Sequence, residues 1–253
     1  MGLFRRTRSL AEADRLFDEG VATMRGGDLR RSLSVLDQAQ KIYAALGPDE
    51  AARRGEARTL WRQANAYAAI GAAPNALAAG LDAAMIWEGL LEGSGDRDIG
   101  LVREMAQGYA DLAMFALPLD SEQAVAHARR AVGLSEQLVR AGHPEGAEQL
   151  GVAQHNLAVT LADHGDRAGA ATAAAEAVKI RQKRAAALPH PSVADWEHAN
   201  SLLLSGKLYR LTGQTRFART ALERGLVVAR TLGTAGTTIS LQIQVELGQL
   251  GRG

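Results

Sequence analysis

The chain has 253 residues, of which 29 are basic and 28 acidic, and it contains no cysteine. This near balance of charge gives no molecule-wide field that would attract nucleic acid or an anionic membrane. The lack of cysteine excludes disulfides, thiolate metal ligands and thiol catalysis. The 4 lysines accompany 25 arginines, a bias typical of a high-GC bacterial genome, and no apolar run suits a signal sequence or a membrane span. We therefore expect a bacterial, cytoplasmic protein without nucleic-acid or membrane partners.

Apolar residues recur with the helical period along the chain, between marks of glycine and proline. We predict helix pairs at residues 10–26 and 28–45, 49–70 and 74–92, 97–116 and 120–141, 145–164 and 167–187, and 192–212 and 215–231, followed by a last helix at 237–249. The predicted fold is an all-α solenoid of about five antiparallel helix hairpins plus a C-terminal capping helix. Residues 1–9 are predicted to be a flexible N-terminus, residues 10–250 a single repeat domain, and residues 91–100 a loop within it.

A fixed spacing of mostly small residues recurs in four of the pairs. Each copy has a glycine and then residues five, nine and twelve positions later, as in Gly27-Ser32-Leu36-Ala39, Gly71-Ala76-Gly80-Ala83, Gly165-Ala170-Ala174-Ala177 and Gly213-Ala218-Leu222-Gly225. Such a cadence is an internal repeat. The glycines are expected to end the first helix of each pair in the left-handed conformation. Four aspartates are expected to cap helix starts: Asp28, Asp49, Asp120 and Asp166.

The first helices carry a small residue followed three positions later by an aromatic residue, as in Ala64 with Tyr67 and Gly206 with Tyr209. Together with the alanines of the second helices, this pattern resembles the tetratricopeptide repeat (TPR) family. The period is longer than is usual in that family, and is similar to the long-helix repeats of kinesin light chains and of bacterial signalling proteins. The resemblance implies a stack of hairpins that recognises a protein or peptide and needs no cofactor.

In a stack of hairpins, side chains of the first helices line the ligand groove. The second pair places Arg58, Arg62 and Asn65 at helical spacing on one face. Arginine offers a planar fork to a carboxylate, and asparagine can bond a peptide backbone, so we predict a groove for an acidic peptide or a free C-terminus. Trp61 beside them is a groove anchor or a core residue, and core packing is favoured. Further residues on the predicted face are Gln107, Asp111, His155, Asn156, Asn200, Lys207 and Arg210.

Patterns for catalysis or metal binding are missing from the sequence. The six histidines do not pair at spacings of three or four, and no HExxH, GxSxG or P-loop motif occurs. We therefore expect no enzyme activity, no catalytic residues and no metal site. Two other functions stay open, a regulatory module that senses a small molecule and a structural scaffold that self-associates through the last helix. The apolar residues of that segment are Ile239, Leu241, Ile243, Val245, Leu247 and Leu250.

Overall fold

A computed structural model describes residues 9–94 and 98–251, which form eleven α-helices, one short 3-10 helix and no strand. The helices are α1 Leu10–Arg25, α2 Leu29–Ala45, α3 Glu50–Ala69, α4 Ala73–Ser94, α5 Ile99–Ala116, α6 Ser121–Arg140, α7 Gly146–His164, α8 Arg167–Ala186, α9 Val193–Leu211, α10 Thr215–Thr231 and α11 Thr237–Leu250, with the 3-10 helix at Gly233–Gly236. Consecutive helices pack on one another from α1 to α5 and from α6 to α11. The predicted all-α solenoid fold is confirmed.

The helices form two compact units, Met1–Leu119 with α1 to α5 and Asp120–Gly253 with α6 to α11. In unit 1, α1 packs on α2, α2 on α3, α3 on α4 and α4 on α5; in unit 2, each helix from α6 to α11 packs on the next. The third predicted pair is divided, since α5 belongs to unit 1 and α6 to unit 2. A single domain over residues 10–250 stays a prediction. Of the predicted flexible N-terminus, residues 1–8 lie outside the described residues, and Ser9 caps α1.

Part of the predicted loop at 91–100 is helical in the structure. Helix α4 continues to Ser94, whose hydroxyl donates to the carbonyl oxygen of Leu91 at 3.0 Å. Helix α5 begins at Ile99. Its N-cap residue is Asp98, whose carboxylate accepts the backbone N–H of Leu101 at 2.9 Å. Residues 95–97 of the predicted loop lie outside the described residues. Glycine suggested a loop here, but glycine inside a helix costs about 1 kcal/mol, which packing readily offsets.

The predicted helix caps and turn glycines are confirmed. The four aspartates predicted as caps each accept a backbone N–H from the first turn of α2, α3, α6 or α8. The turn glycines have positive φ angles: 87° at Gly27, 77° at Gly71, 94° at Gly165 and 75° at Gly213. A side chain is strained in this conformation, so glycine fixes where each first helix ends.

The small residues of the repeat allow the two helices of a hairpin to approach closely. The residue five positions after each turn glycine is fully buried: Ser32, Ala76, Ala170 and Ala218. A Cβ atom added at Gly20 would lie 2.7 Å from the Leu36 side chain, and one added at Gly206 would lie 2.5 Å from Leu222. Neither glycine tolerates a larger residue unless the leucine shifts. The repeat in the sequence is therefore a packing pattern.

Candidate functional site

In unit 1, the first helices share a surface, because α3 contacts both α1 and α5. We call this the α1/α3/α5 surface. The predicted ligand residues of α3 lie here. Arg58 is exposed, with its guanidinium carbon 4.9 Å from the centre of the Phe17 ring of α1. Arg62 is partly buried, with its guanidinium carbon 4.2 Å from the Trp61 ring. Two cations are thus held against aromatic faces, an arrangement worth about 0.5–1 kcal/mol each at exposed sites.

The Arg62 guanidinium is only partly satisfied by the protein. Its Nε atom is buried and makes no hydrogen bond. Burial lowers the pKa of Arg62, the Asp111 carboxylate opposes this effect, and the charges of Arg25 and Arg58 add to it. A buried donor without an acceptor costs about 1–3 kcal/mol. A ligand oxygen that bonded this guanidinium after a shift of the side chain would recover part of that cost.

A cavity of ≈ 370 Å³ opens beside these arginines. It is lined by Phe17, Asp18, Val21, Ala22, Arg25, Arg58 and Arg62. We call it the arginine cavity. Three guanidinium groups face one carboxylate in its lining, and within the described residues none of the three forms an ion pair. The lining of the cavity therefore carries a net positive charge.

Arg25 was missed by the sequence analysis. It lies in the last turn of α1 and lines the arginine cavity together with Phe17 and Val21 of the same helix. The three residues are spaced by four, which places them on one helix face. That spacing was visible in the sequence, but no residue from the last turn of this helix was assigned to the groove.

Asn65 and Asp111 bond within the protein. The Trp61 Nε1 donates to an Asp111 carboxylate oxygen at 2.8 Å, and the Asn65 amide donates to the same oxygen at 3.5 Å and to the Trp61 carbonyl at 3.0 Å. Burial raises the pKa of Asp111, while these hydrogen bonds and the charge of Arg62 oppose the rise. Trp61 is 5% exposed, so core packing is confirmed for it. These contacts join α3 to α5. Gln107 of α5, four residues before Asp111, is exposed.

In unit 2, His155 belongs to a buried hydrogen-bond chain. Its Nδ1 lies 3.3 Å from the Ser201 hydroxyl of α9, and that hydroxyl accepts from the Arg181 guanidinium at 2.8 Å. Arg181 also donates to the Glu197 carbonyl at 3.2 Å. Burial, and next the charge of Arg181, lower the pKa of His155 to about 4. The imidazole is therefore neutral at physiological pH and serves the packing of α7 on its neighbours.

The other predicted residues of unit 2 are partly buried, namely Asn156, Asn200, Lys207 and Arg210. Arg210 donates through Nε to the carboxylate of Glu246 in α11 at 2.9 Å. A second arginine, Arg184 of α8, binds Glu197 at 2.5 Å and Glu148 at 2.6 Å. Arg184 and Arg210 of unit 2 are thus neutralised by acidic residues of the same unit. A single groove that runs from Arg58 to Arg210 stays a prediction.

Unit 2 also has a cavity of ≈ 300 Å³ between α8, α9 and α10. Tyr209 and Phe217 lie in its wall with ring centres 5.7 Å apart. Lys179 and Arg224 supply its charges, and Arg224 donates to the Gln182 amide oxygen at 2.9 Å. A cavity of this size could hold a small molecule. The function as a module that senses a small molecule stays a prediction.

The described residues contain neither a metal-binding cluster nor a membrane-spanning helix. No group of three or more histidine, aspartate or glutamate side chains in residues 9–94 and 98–251 could hold a metal ion. No helix in these ranges is both long and apolar enough to cross a membrane.

Neither family models nor curated proteins match the sequence significantly. Solved structures do match. The putative kinesin light chain TPR-like repeats of Podosopora anserina have 18% identity and a TM-score of 0.65, over 87% of this chain and 96% of theirs. BtubC (BKLC) from P. vanneervenii has 19% identity and a TM-score of 0.65, over 88% and 82%. A Rap protein complexed with Competence and Sporulation Factor has 16% identity and a TM-score of 0.60, over 96% and 65%. At these identities the similarity establishes the fold alone, and the chain has a TPR-type repeat fold.

Proposed function

We propose that the chain is a protein-interaction adaptor or sensor, and that the α1/α3/α5 surface of unit 1 binds an acidic segment of a protein or peptide. The observation that carries the proposal is the arginine cavity, where Arg25, Arg58 and Arg62 converge without an ion pair among the described residues. Buried or crowded cations in proteins are normally paired. A ligand carboxylate would supply the missing partner.

The geometry of the arginines favours a carboxylate over a neutral ligand. Arginine and carboxylate form charge-assisted hydrogen bonds, which are roughly twice as strong as neutral ones. The rings of Phe17 and Trp61 hold Arg58 and Arg62 in place before binding. Less side-chain entropy is then lost when the ligand arrives, at about 0.5–1.5 kcal/mol for each side chain already ordered. The exposed Gln107 of α5 is proposed to bond the backbone of the same segment.

The similar structures support a protein or peptide as the partner. One is a Rap protein complexed with Competence and Sporulation Factor, and others are kinesin light chain repeats. One architecture serves many functions, so the chemistry of the partner is inferred from the arginine cavity and not from these proteins. The proposed activity is recognition, in the cytoplasm, without a cofactor or a catalytic step.

A charge-matched pair of triple variants tests the proposal. The first replaces Arg25, Arg58 and Arg62 with alanine; the control replaces Arg216, Arg219 and Arg230, which are exposed on α10 of unit 2. The probe is a fluorescein-labelled hexaglutamate peptide, followed by fluorescence anisotropy. We expect the first variant to bind at least ~10-fold more weakly than the wild type, and the control to stay within about 2-fold.

Equal losses in both variants would show nonspecific charge attraction and would contradict the proposal. A probe with an amidated C-terminus separates recognition of acidic side chains from recognition of a free C-terminus. Capture from a cell extract gives a second reading with the same two variants. Loss of one specific protein from the first variant alone is the expected result, and retention of every captured protein would overturn the assignment of the cavity.

A further inference from the structure

Helix α11 is buried on one side only. Its residues Ile239 and Ile243 are 3% and 0% exposed and pack with the core of unit 2. Leu247 and Leu250, which are partly buried, pack against the same core. On another face, Leu241 and Val245 are 58% and 61% exposed. The apolar residues that looked alternating in the sequence thus divide between a buried stripe and an exposed one.

The exposed stripe has the shape that receives a helix. A concavity of ≈ 470 Å³ lies along it, lined by Leu241, Gln244, Val245, Gly248 and Gln249. The first four occupy positions i, i+3, i+4 and i+7, the four residues that form a hole in knobs-into-holes packing. Among the described residues, a Cβ atom added at Gly248 would meet nothing within 4 Å, so none of these residues obstructs the approach of another helix there.

The lack of charge on this face suits a second copy of it. The exposed residues of α11 are Thr237, Thr238, Leu241, Gln242, Gln244, Val245, Gly248 and Gln249, and none is charged. The one charged residue of this helix, Glu246, is 9% exposed and pairs with Arg210. Such a face offers nothing to a charged partner, whereas a second copy of it brings no like-charge repulsion. It also presents both the apolar knobs and the hole, and is therefore self-complementary.

We propose that α11 is a homodimer contact, in which two copies of this chain pack their α11 helices about a two-fold axis. Leu241 and Val245 of each copy fill the hole of the other, so the same patch is used on both sides, as in most cyclic dimers. This contact involves no residue of the arginine cavity. Dimerisation and acidic-segment binding can therefore fail independently.

Sedimentation velocity on the full chain tests the contact. The wild type is expected to show a monomer–dimer equilibrium that depends on concentration. The double variant Leu241→Glu/Val245→Glu should raise the dimer dissociation constant at least ~10-fold, because it places like charges opposite one another. The control is Val227→Glu on α10, whose valine is 64% exposed, and it should dimerise as the wild type does. A monomeric wild type, or a double variant that still dimerises, would overturn the proposal.

Disulfide trapping locates the two-fold axis and uses the native chain's lack of cysteine. A disulfide requires Cα atoms roughly 4.4–6.8 Å apart, so only residues close to the axis can cross-link. Val245→Cys should form a covalent dimer under mild oxidation, and Val227→Cys should not. Equal cross-linking by the two variants, or none by either, contradicts the contact. Circular dichroism confirms that each variant keeps its helical content.

Discussion

Arg58 and Arg62 of unit 1 contrast with Arg184 and Arg210 of unit 2, whereas Arg54 of unit 1 is paired with Asp98 and Glu104. In unit 1, Arg58 and Arg62 rest on aromatic rings and form no ion pair within the described residues. In unit 2, Arg184 binds two glutamates and Arg210 binds Glu246. The residue type is the same, so the difference lies in the acidic residues that surround it. A cation with a built-in partner stabilises the fold, and a cation without one remains available to a ligand.

The position of the acidic residues explains the difference. Glu148, Glu197 and Glu246 of unit 2 each lie within hydrogen-bonding distance of a guanidinium group. In unit 1, the acidic residue near Arg62 is Asp111, and its carboxylate accepts hydrogen bonds from Trp61 and Asn65 instead. The Asp111 carboxylate offsets part of the charge of Arg62 but forms no ion pair with it, because the carboxylate is hydrogen-bonded to the indole and the amide instead.

The largest expected effect that separates the units is their response to acid. All six histidines lie in unit 2. The pKa of His155 falls from its ordinary 6.5 to about 4, through burial and then the charge of Arg181. The unfolded chain therefore binds the proton at a higher pH than the folded chain. The contribution of neutral His155 to the free energy of unfolding is fully present above about pH 6.5. It is lost as the pH falls towards 4, by up to about 3 kcal/mol.

Unit 1 should respond in the opposite direction through Asp111, whose pKa is raised by burial. Its folded state binds the proton more tightly, so acid relieves a cost that is present at neutral pH. Urea titrations at several pH values, read by pulsed hydrogen exchange, should show unit 2 losing stability first. His155→Gln should flatten the pH dependence of unit 2 between pH 6.5 and 4. An unchanged slope would contradict the role of His155.

A medium effect is expected when one arginine is removed from each unit. Arg184→Ala leaves Glu197 with a side chain 16% exposed and without its cation, so we expect a loss of about 2 kcal/mol in unfolding free energy. Arg58→Ala removes an exposed side chain without an ion pair, and the lost contact with the Phe17 ring should cost about 0.5–1 kcal/mol. Chemical denaturation of both variants measures the contrast. Similar losses would show that the two arginines do not differ in structural role.

The smallest expected effect concerns the acid beside the arginine cavity. Asp111→Asn keeps a side-chain oxygen that can accept from Trp61 but removes the negative charge that offsets Arg62. We expect hexaglutamate to bind about 2- to 5-fold more tightly, which corresponds to about 0.5–1 kcal/mol. Fluorescence anisotropy of the labelled peptide measures it. Weaker binding in a variant that folds normally would show that Asp111 helps to position the arginines.

The features that follow from local chemistry were predictable. Glycine in the left-handed conformation and aspartate at a helix start act within a few residues, so Gly165 and Asp166 mark one hairpin turn in sequence and structure alike. The small residues were predictable for a similar reason, because close helix packing leaves no room for a Cβ atom at Gly206 unless the Leu222 side chain shifts. The loop predicted at 91–100 included residues that are helical, because its glycines were given more weight than Asp98, whose carboxylate caps α5.

The candidate site was less predictable, because it depends on pairings between residues far apart in sequence. Helical spacing placed Arg58 and Arg62 on one face, but no local pattern shows that Asp111, about fifty residues later, bonds Trp61. Nor does any local pattern show that Glu246 forms an ion pair with Arg210. Whether a polar residue faces a ligand or a neighbouring helix is decided by tertiary contacts, which the sequence of one repeat does not contain.

The indole pair of unit 1 gives the molecule its own optical reporter. Trp61 and Trp87 lie with ring centres 6.0 Å apart and planes at 62°, close enough for excitation energy to pass between them. The Arg62 guanidinium lies over the Trp61 ring, so a ligand that draws this cation away changes the electric field at the emitting group. Occupancy of the arginine cavity should therefore shift the tryptophan emission of the unlabelled protein.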